Sequence, residues 1–190
     1  MRRRYDLSKL EWKLSGWTPE YWRMVRSMEI GESPSAEVTA VPAKVPGSVQ
    51  LALREAGLLP DWNVGLNHRQ CEWVENRHWA YEAVLPDEWV EAGKTVRLNC
   101  RGLDYCGEIY VNGAFVSEFK GSHNPHIFDI TRHLLDRGNA VRIVFTYNPR
   151  WLGQFGYTSK MKEWKTRFNY TWDWIPRVVQ IGITGNVFLE

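Results

Sequence analysis

From Arg77 onward, apolar residues recur at every second position. Trp79, Tyr81, Ala83 and Leu85 share one face of such a run, and Pro86 ends it. Val96 and Leu98 repeat the alternation, and Val141, Ile143, Phe145 and Tyr147 form a further strand closed by Asn148-Pro149. Between them, Glu108 to Val116 holds Asn112-Gly113 flanked by apolar residues. Both turn positions of a two-residue hairpin need positive φ, which Asn and Gly tolerate best, so this segment predicts a β-hairpin. Ile127 and Phe128 lead into Asp129-Ile130-Thr131 and a short turn through Leu134, Leu135 and Gly138, and Val178 to Leu189 supplies a last strand. Short strands separated by turns predict an all-β sandwich.

Helical signals are few. Ser48 caps a helix over Val49 to Ala56, with Leu51, Ala52 and Leu53 apolar and Gly57 as the stop. Thr18-Pro19 predicts a second, short helix near Trp22. Gly31 through Pro46 reads as a surface loop, so residues 1–45 are expected to be an irregular N-terminal extension. Residues 150–177 form a long connection carrying Trp151, Trp164, Trp172 and Trp174 among lysines and arginines. A connection of that length inside one domain is usually functional or packed against something.

Composition sharpens this picture in one respect: aromatics make up 14% of 190 residues, including 11 Trp. Such a supply suits a core, an interface or a surface that stacks on sugar rings. The length fits one all-β domain spanning 1–190. The net charge of +2 is spread without a basic stripe, so no nucleic-acid partner is expected. No apolar run has the length of a membrane span, so no membrane partner is expected either. Three cysteines (Cys71, Cys100, Cys106) without metal-ligand spacing, and no secretory leader, lead to an expectation of reduced thiols in the cytoplasm, with Asn169-Tyr170-Thr171 a chance sequon. Cys100 and Cys106 are expected to be small core residues in or near adjacent strands. His123 and His126 lack a third ligand and are expected at the surface, so neither a metal nor another cofactor is implied.

Several segments in order resemble the opening of family 2 glycoside hydrolases, β-mannosidases above all. They are Val45-Pro46-Gly47-Ser48-Val49, Gly57-Leu58-Leu59-Pro60-Asp61, Glu72-Trp73-Val74-Glu75 and Trp79-Ala80-Tyr81. Gly102-Leu103-Asp104-Tyr105, Val111-Asn112-Gly113, Asn124-Pro125-His126, Phe128-Asp129-Ile130-Thr131 and Gly138-Asn139 continue the series. Trp172-Asp173-Trp174, Pro176-Arg177 and Gly182-Ile183 close it. The resemblance implies a jelly-roll sandwich, galactose-binding-domain-like, ahead of an immunoglobulin-like domain and a catalytic (β/α)8 barrel. It also implies that two barrel glutamates hydrolyse a β-linked glycoside, mannoside favoured, with their carboxyl groups about 5–5.5 Å apart. A barrel takes about 250 residues, so none fits in this chain, which is expected to be inactive alone, with no catalytic residue of its own.

Four carboxylates are candidates for a role at a site. Asp129 is expected to cap the following turn, Asp104 to bond backbone amides at a bend, and Glu108 to be a rim charge. Asp173 is set between Trp172 and Trp174. The resemblance implies that this loop reaches the mouth of the barrel, where an ionised Asp173 accepts hydrogen bonds from sugar hydroxyls. The competing reading is an interdomain ion pair with an arginine such as Arg177. In extended chain Trp172 and Trp174 point to one side and Asp173 to the other, so one Trp at most joins it at the sugar. The chain departs from the family's Trp-Gly-Trp-Asp-Trp-Gly run, reading Tyr170-Thr171-Trp172-Asp173-Trp174-Ile175, and has Thr184-Gly185 where a Trp is expected. Two other functions stay open: an independent carbohydrate-binding module, and a purely structural domain whose aromatics are covered by its neighbours.

Overall fold

The computed structural model describes residues 3–24, 34–91, 93–150, 152, 161–171 and 175–190. Among them are twelve strands and one α-helix: β1 (Tyr5–Asp6), β2 (Trp12–Trp17), β3 (Val38–Ala43), α1 (Val49–Glu55), β4 (His78–Val84), β5 (Arg97–Cys100), β6 (Leu103–Asp104), β7 (Cys106–Val111), β8 (Ala114–Lys120), β9 (His126–Asp129), β10 (Ala140–Tyr147), β11 (Gly182–Ile183) and β12 (Val187–Leu189). Six strands form a sheet in the order β3-β2-β4-β10-β7-β8, four form a second in the order β1-β12-β5-β9, and β11 pairs with β6. Every pairing is antiparallel. The fold is an all-β sandwich.

Alternation puts the core where the sequence placed it. Trp79, Tyr81 and Ala83 on β4, Val141, Ile143 and Phe145 on β10, and Ile109 and Val111 on β7 are all buried. They meet Leu98, Cys100, Phe128, Val187 and Leu189 of the smaller sheet in one apolar cluster. Burying each such side chain contributes about 1.5–3 kcal/mol, so the two sheets are held mainly by this face-to-face contact. Within the large sheet, Gly107 lets β7 run tight against its neighbour β10: a Cβ there would lie 1.8 Å from the Val144 carbonyl oxygen. The hairpin forms as expected, with Asn112 and Gly113 at φ of 53° and 77°.

Four expectations change. Residues 1–45 are not an irregular extension, because β1, β2 and β3 lie within them. The run Trp12-Lys13-Leu14 alternates too briefly to stand out. Pro42 is accommodated because β3 is an edge strand, where a missing N–H costs no ladder bond. Thr18 caps no helix; its hydroxyl donates to Glu37, and the neighbouring turn Tyr21–Arg23 is 3-10, laying Trp22 across Ala80 and Val144 on the outer face of the large sheet. Tyr147 leaves the inward face after a register shift behind Phe145 and becomes half exposed. The strand expected from Val178 to Leu189 is broken into β11 and β12, because Thr184 and Gly185 N–H groups both turn to the Gly102 carbonyl. The helix itself is as expected, with Ser48 Oγ accepting from the Leu51 N–H at 3.2 Å and Gly57 beyond its end at φ 74°. Leu51, however, faces solvent, while Val49, Gln50, Ala52 and Leu53 are buried.

Candidate functional site

The long connection leaves β10 at Tyr147 and returns at Gly182. Its returning limb is held by residues far away in sequence. Val49 N–H donates to the Ile181 carbonyl at 2.8 Å. The buried side chain of Gln50 donates to the Val179 carbonyl at 2.6 Å and accepts from Ile181 N–H at 3.4 Å. A glutamine side chain here stands in for the next strand, satisfying a backbone donor and acceptor that have no ladder partner. Leu152, Tyr170 and Val179, with Met161 against them, form a small apolar cluster under the loop. The Tyr170 hydroxyl donates to the Pro149 carbonyl.

The outgoing limb is held by charge. The Lys165 side chain is wholly buried; its ammonium donates to Asp104 Oδ1 and, at 2.6 Å, to the Gln180 carbonyl. Ser122 Oγ donates to the same Asp104 oxygen. Burial pushes the Lys165 ammonium below the usual lysine range, and the Asp104 carboxylate opposes that drop. Asp104 therefore binds a lysine and a serine rather than backbone amides as expected, because the lysine arrives from 61 residues away. Two residues before Lys165, Glu163 accepts from the Tyr105 hydroxyl and from Lys120 at 3.1 Å. Burial raises the Glu163 carboxyl, but these two donors outweigh it and leave it below the ordinary value.

Arg177 sits at the far end of the loop. Its guanidinium pairs with Glu75 at 2.8 Å, both largely buried, donates to the Arg150 carbonyl at 3.2 Å, and lies 5.8 Å from the Tyr170 ring centre. Glu75 comes from the run of 3-10 turns over Asn67–Asn76, which buries Cys71 and Val74 and so presents Glu75 beside the loop. Next to this pair a cleft of about 490 Å³ is lined by Glu75, Asn76, Tyr147, Asn148 and Arg150, among others. Trp164 and Phe168 stand out from the loop, 78% and 59% exposed.

Of the residues picked from sequence, Trp172, Asp173 and Trp174 lie outside the described residues. The chain on either side of them is fixed: Thr171 Oγ1 donates to the Ile175 carbonyl at 3.0 Å, and Val178 N–H donates to the Asn169 carbonyl at 3.1 Å. Asp129 caps its turn as expected, accepting from Thr131 N–H at 3.0 Å and Oγ1 at 2.6 Å, which lowers its carboxyl. Glu108 is no rim charge. It is buried on the outer face of the large sheet, paired with Arg23 and accepting from the Tyr110 hydroxyl, because Trp22 and its turn cover it. Cys100 and Cys106 lie in different sheets, the first buried and the second half-buried. His123 is exposed as expected, but His126 is half-buried, its ring stacked against Phe128. Sequence reading missed Glu75, Lys165 and Gln50. Their partners are 102, 61 and 129 residues away, so no local pattern marked them.

The family model described as glycosyl hydrolase 2 galactose-binding domain-like matches residues 22–185. The chain is similar to β-mannosidase B of Aspergillus terreus, 29% identical over 178 residues, covering 86% of the chain and 21% of that relative. The β-mannosidase B of Emericella nidulans is 30% identical over 173 residues, covering 84% and 20%. Among solved structures, the β-D-mannosidase from Dictyoglomus thermophilum superposes with a TM-score of 0.75 at 24% identity, covering all of this chain and 22% of that one. The exo-chitosanase of Amycolatopsis orientalis does so at 0.67 and 15%, again covering all of this chain and 20% of its own. The chain spans about a fifth of the length of the curated relatives it matches.

Proposed function

The chain belongs to the glycosyl hydrolase 2 galactose-binding domain-like family, and from that premise we propose that it is the non-catalytic front domain of a retaining, β-mannosidase-type enzyme, shaping the subsite for a β-mannoside. The supporting observation is the doubly anchored loop. Its returning limb is tied to Gln50, its outgoing limb to Asp104 through Lys165, and the chain is closed on both sides of Trp172-Asp173-Trp174. Fixing the chain on either side of a binding carboxylate shortens the stretch left to order on binding, which lowers the entropic cost.

In this reading a downstream barrel supplies the acid/base and the nucleophile, whose carboxyl groups stand about 5–5.5 Å apart. An immunoglobulin-like domain lies between sandwich and barrel. Asp173 accepts hydrogen bonds from two sugar hydroxyls, one of its flanking tryptophans packs on the ring, and Arg177, held by Glu75, steadies the loop end. The fragment alone is inactive, and residues 1–190 act as one domain. The free thiols at Cys71, Cys100 and Cys106 support a reducing, cytoplasmic setting. No helix among the described residues is long and apolar enough to cross a membrane.

The test is Asp173→Ala in the protein extended through its downstream domains, assayed on an aryl β-mannoside. Hydrogen bonds to a charged acceptor contribute about 1.5–3 kcal/mol each, so kcat/KM should fall roughly 10- to 100-fold or more. Wild-type kcat and KM would remove Asp173 from the subsite. The exposure of Trp164 favours a second reading, a module that binds sugar unaided. Titrating the 190-residue chain with mannosides, glucosides and galactosides separates the two, since only a true module binds measurably.

A further inference from the structure

Lysine is almost never fully buried unless it is paired, and the Lys165 side chain is wholly buried. A buried ion pair is a poor source of stability, because desolvating two charges costs about as much as their attraction returns; apolar residues of the same volume commonly do as well or better. What the pair supplies instead is geometry. Apolar contacts such as those among Leu152, Tyr170 and Val179 are non-directional and tolerate sliding. An ammonium that must find both a carboxylate and a carbonyl accepts one position only.

The partners are placed so that this position matters. Asp104 belongs to β6, which pairs with β11, and the Gln180 carbonyl belongs to the returning limb. That limb is independently fixed by Gln50 and Val49. Lys165 is therefore a buried tie that joins the outgoing limb to the returning limb and to the sheet at one point, beside the more exposed bonds of Glu163 and Asn169. We propose that the Lys165–Asp104 pair, closed on the Gln180 carbonyl, is a positioning clasp that fixes the path of the Trp-rich loop and so sets where Asp173 meets the sugar. The second half of this proposal rests on the function proposed above.

The test removes both charges together, Lys165→Met with Asp104→Asn, so that no buried charge is left unpaired. In the 190-residue chain, hydrogen–deuterium exchange over 161–171 should quicken roughly tenfold or more while β4 and β10 keep their protection. In the protein with its downstream domains, kcat/KM on an aryl β-mannoside should fall roughly tenfold or more, since a displacement of about 1 Å costs about a hundredfold. Its thermal midpoint should stay near wild type, a combination that a merely structural pair does not give. Unchanged exchange overturns the clasp, whatever the kinetics. Faster exchange with wild-type kcat/KM, while Asp173→Ala is impaired, overturns the positioning role. Wild-type kinetics in Asp173→Ala defeats the sugar reading instead, and the clasp is then judged by exchange alone. Should the neutral pair fail to fold, Asp104→Glu keeps both charges and displaces the ammonium by one methylene. It should lower kcat/KM with little change in midpoint, and wild-type kcat/KM would overturn the positioning role.

Discussion

Asn139 offers the sharpest test of how the large sheet is tied to its turns. Its side chain is fully enclosed. Oδ1 accepts from Leu135 N–H and from Asn112 Nδ2, and Nδ2 donates to the Leu135 carbonyl, all at 2.8 Å. Asn112 in turn receives Ala140 N–H at 2.8 Å and donates to the His133 carbonyl at 2.9 Å, so the two amides bind the hairpin turn to the turn that precedes β10. Asn139→Ala deletes three hydrogen bonds, each with a net contribution of about 1 kcal/mol, and leaves their partners short of a bond. The expected loss is about 2–4 kcal/mol. For a chain of this size 1 kcal/mol moves the thermal midpoint by about 2–4 °C, so a fall of roughly 4–16 °C is expected. Urea unfolding followed by circular dichroism measures it as a lower midpoint with an unchanged slope. Asn139→Asp is the companion variant: it keeps the oxygen that accepts both bonds but replaces the donating amide with a carboxylate oxygen set against the Leu135 carbonyl. It should lose at least as much at neutral pH and recover part of the loss in acid, where the protonated group can donate. A cost below about 1 kcal/mol for the alanine variant, or wild-type stability of the aspartate variant at neutral pH, would refute this account of the network.

Gly107→Ala should be destabilising by more than the usual overpacking cost of about 1–3 kcal/mol, because the added carbon meets the Val144 carbonyl oxygen, a backbone atom that cannot swing aside. A wild-type urea midpoint would contradict the observed register of β7 against β10. His78 should add to acid sensitivity: burial pushes its imidazole below the ordinary value of 6.5, and Nδ1 must stay unprotonated to accept the Trp22 N–H at 2.8 Å. Below pH 6.5 the unfolded chain therefore binds a proton that the folded chain refuses, so this contribution is complete above that pH and declines as the pH falls. Urea midpoints between pH 7.5 and 5.5, values bracketing the ordinary histidine range, should fall less steeply in His78→Gln than in wild type; equal slopes would show that His78 is not the group responsible.

How far the site could be read in advance depended on the distance between partners. The Asp129 cap and the Ser48 cap were legible because donor and acceptor lie two or three residues apart. Asp104 could be named as structural but its partner could not, since Lys165 lies 61 residues on, inside a segment with no periodicity. The same held for the pairing of Arg177 with Glu75, which lies 102 residues away. Glu108 was misplaced because its burial on the outer sheet face is created by Trp22 and Arg23, which lie 85 or more residues earlier in a turn that the sequence predicted only as a short helix.

The chain's own order of residues determined the strands of the core. A side-chain period of two is a property of extended backbone, and burying one face rewards it at every second position. The Asn112-Gly113 turn was equally local, since positive φ is a matter of single-residue sterics. Tertiary structure alone decided which edges the N-terminal strands would join, where the last strand would break, and how the tryptophan-rich connection would be held. Those outcomes depend on bonds between groups that only the packed fold brings together, and a buried ammonium such as that of Lys165 needs the carboxylate and the carbonyl that the fold delivers to it.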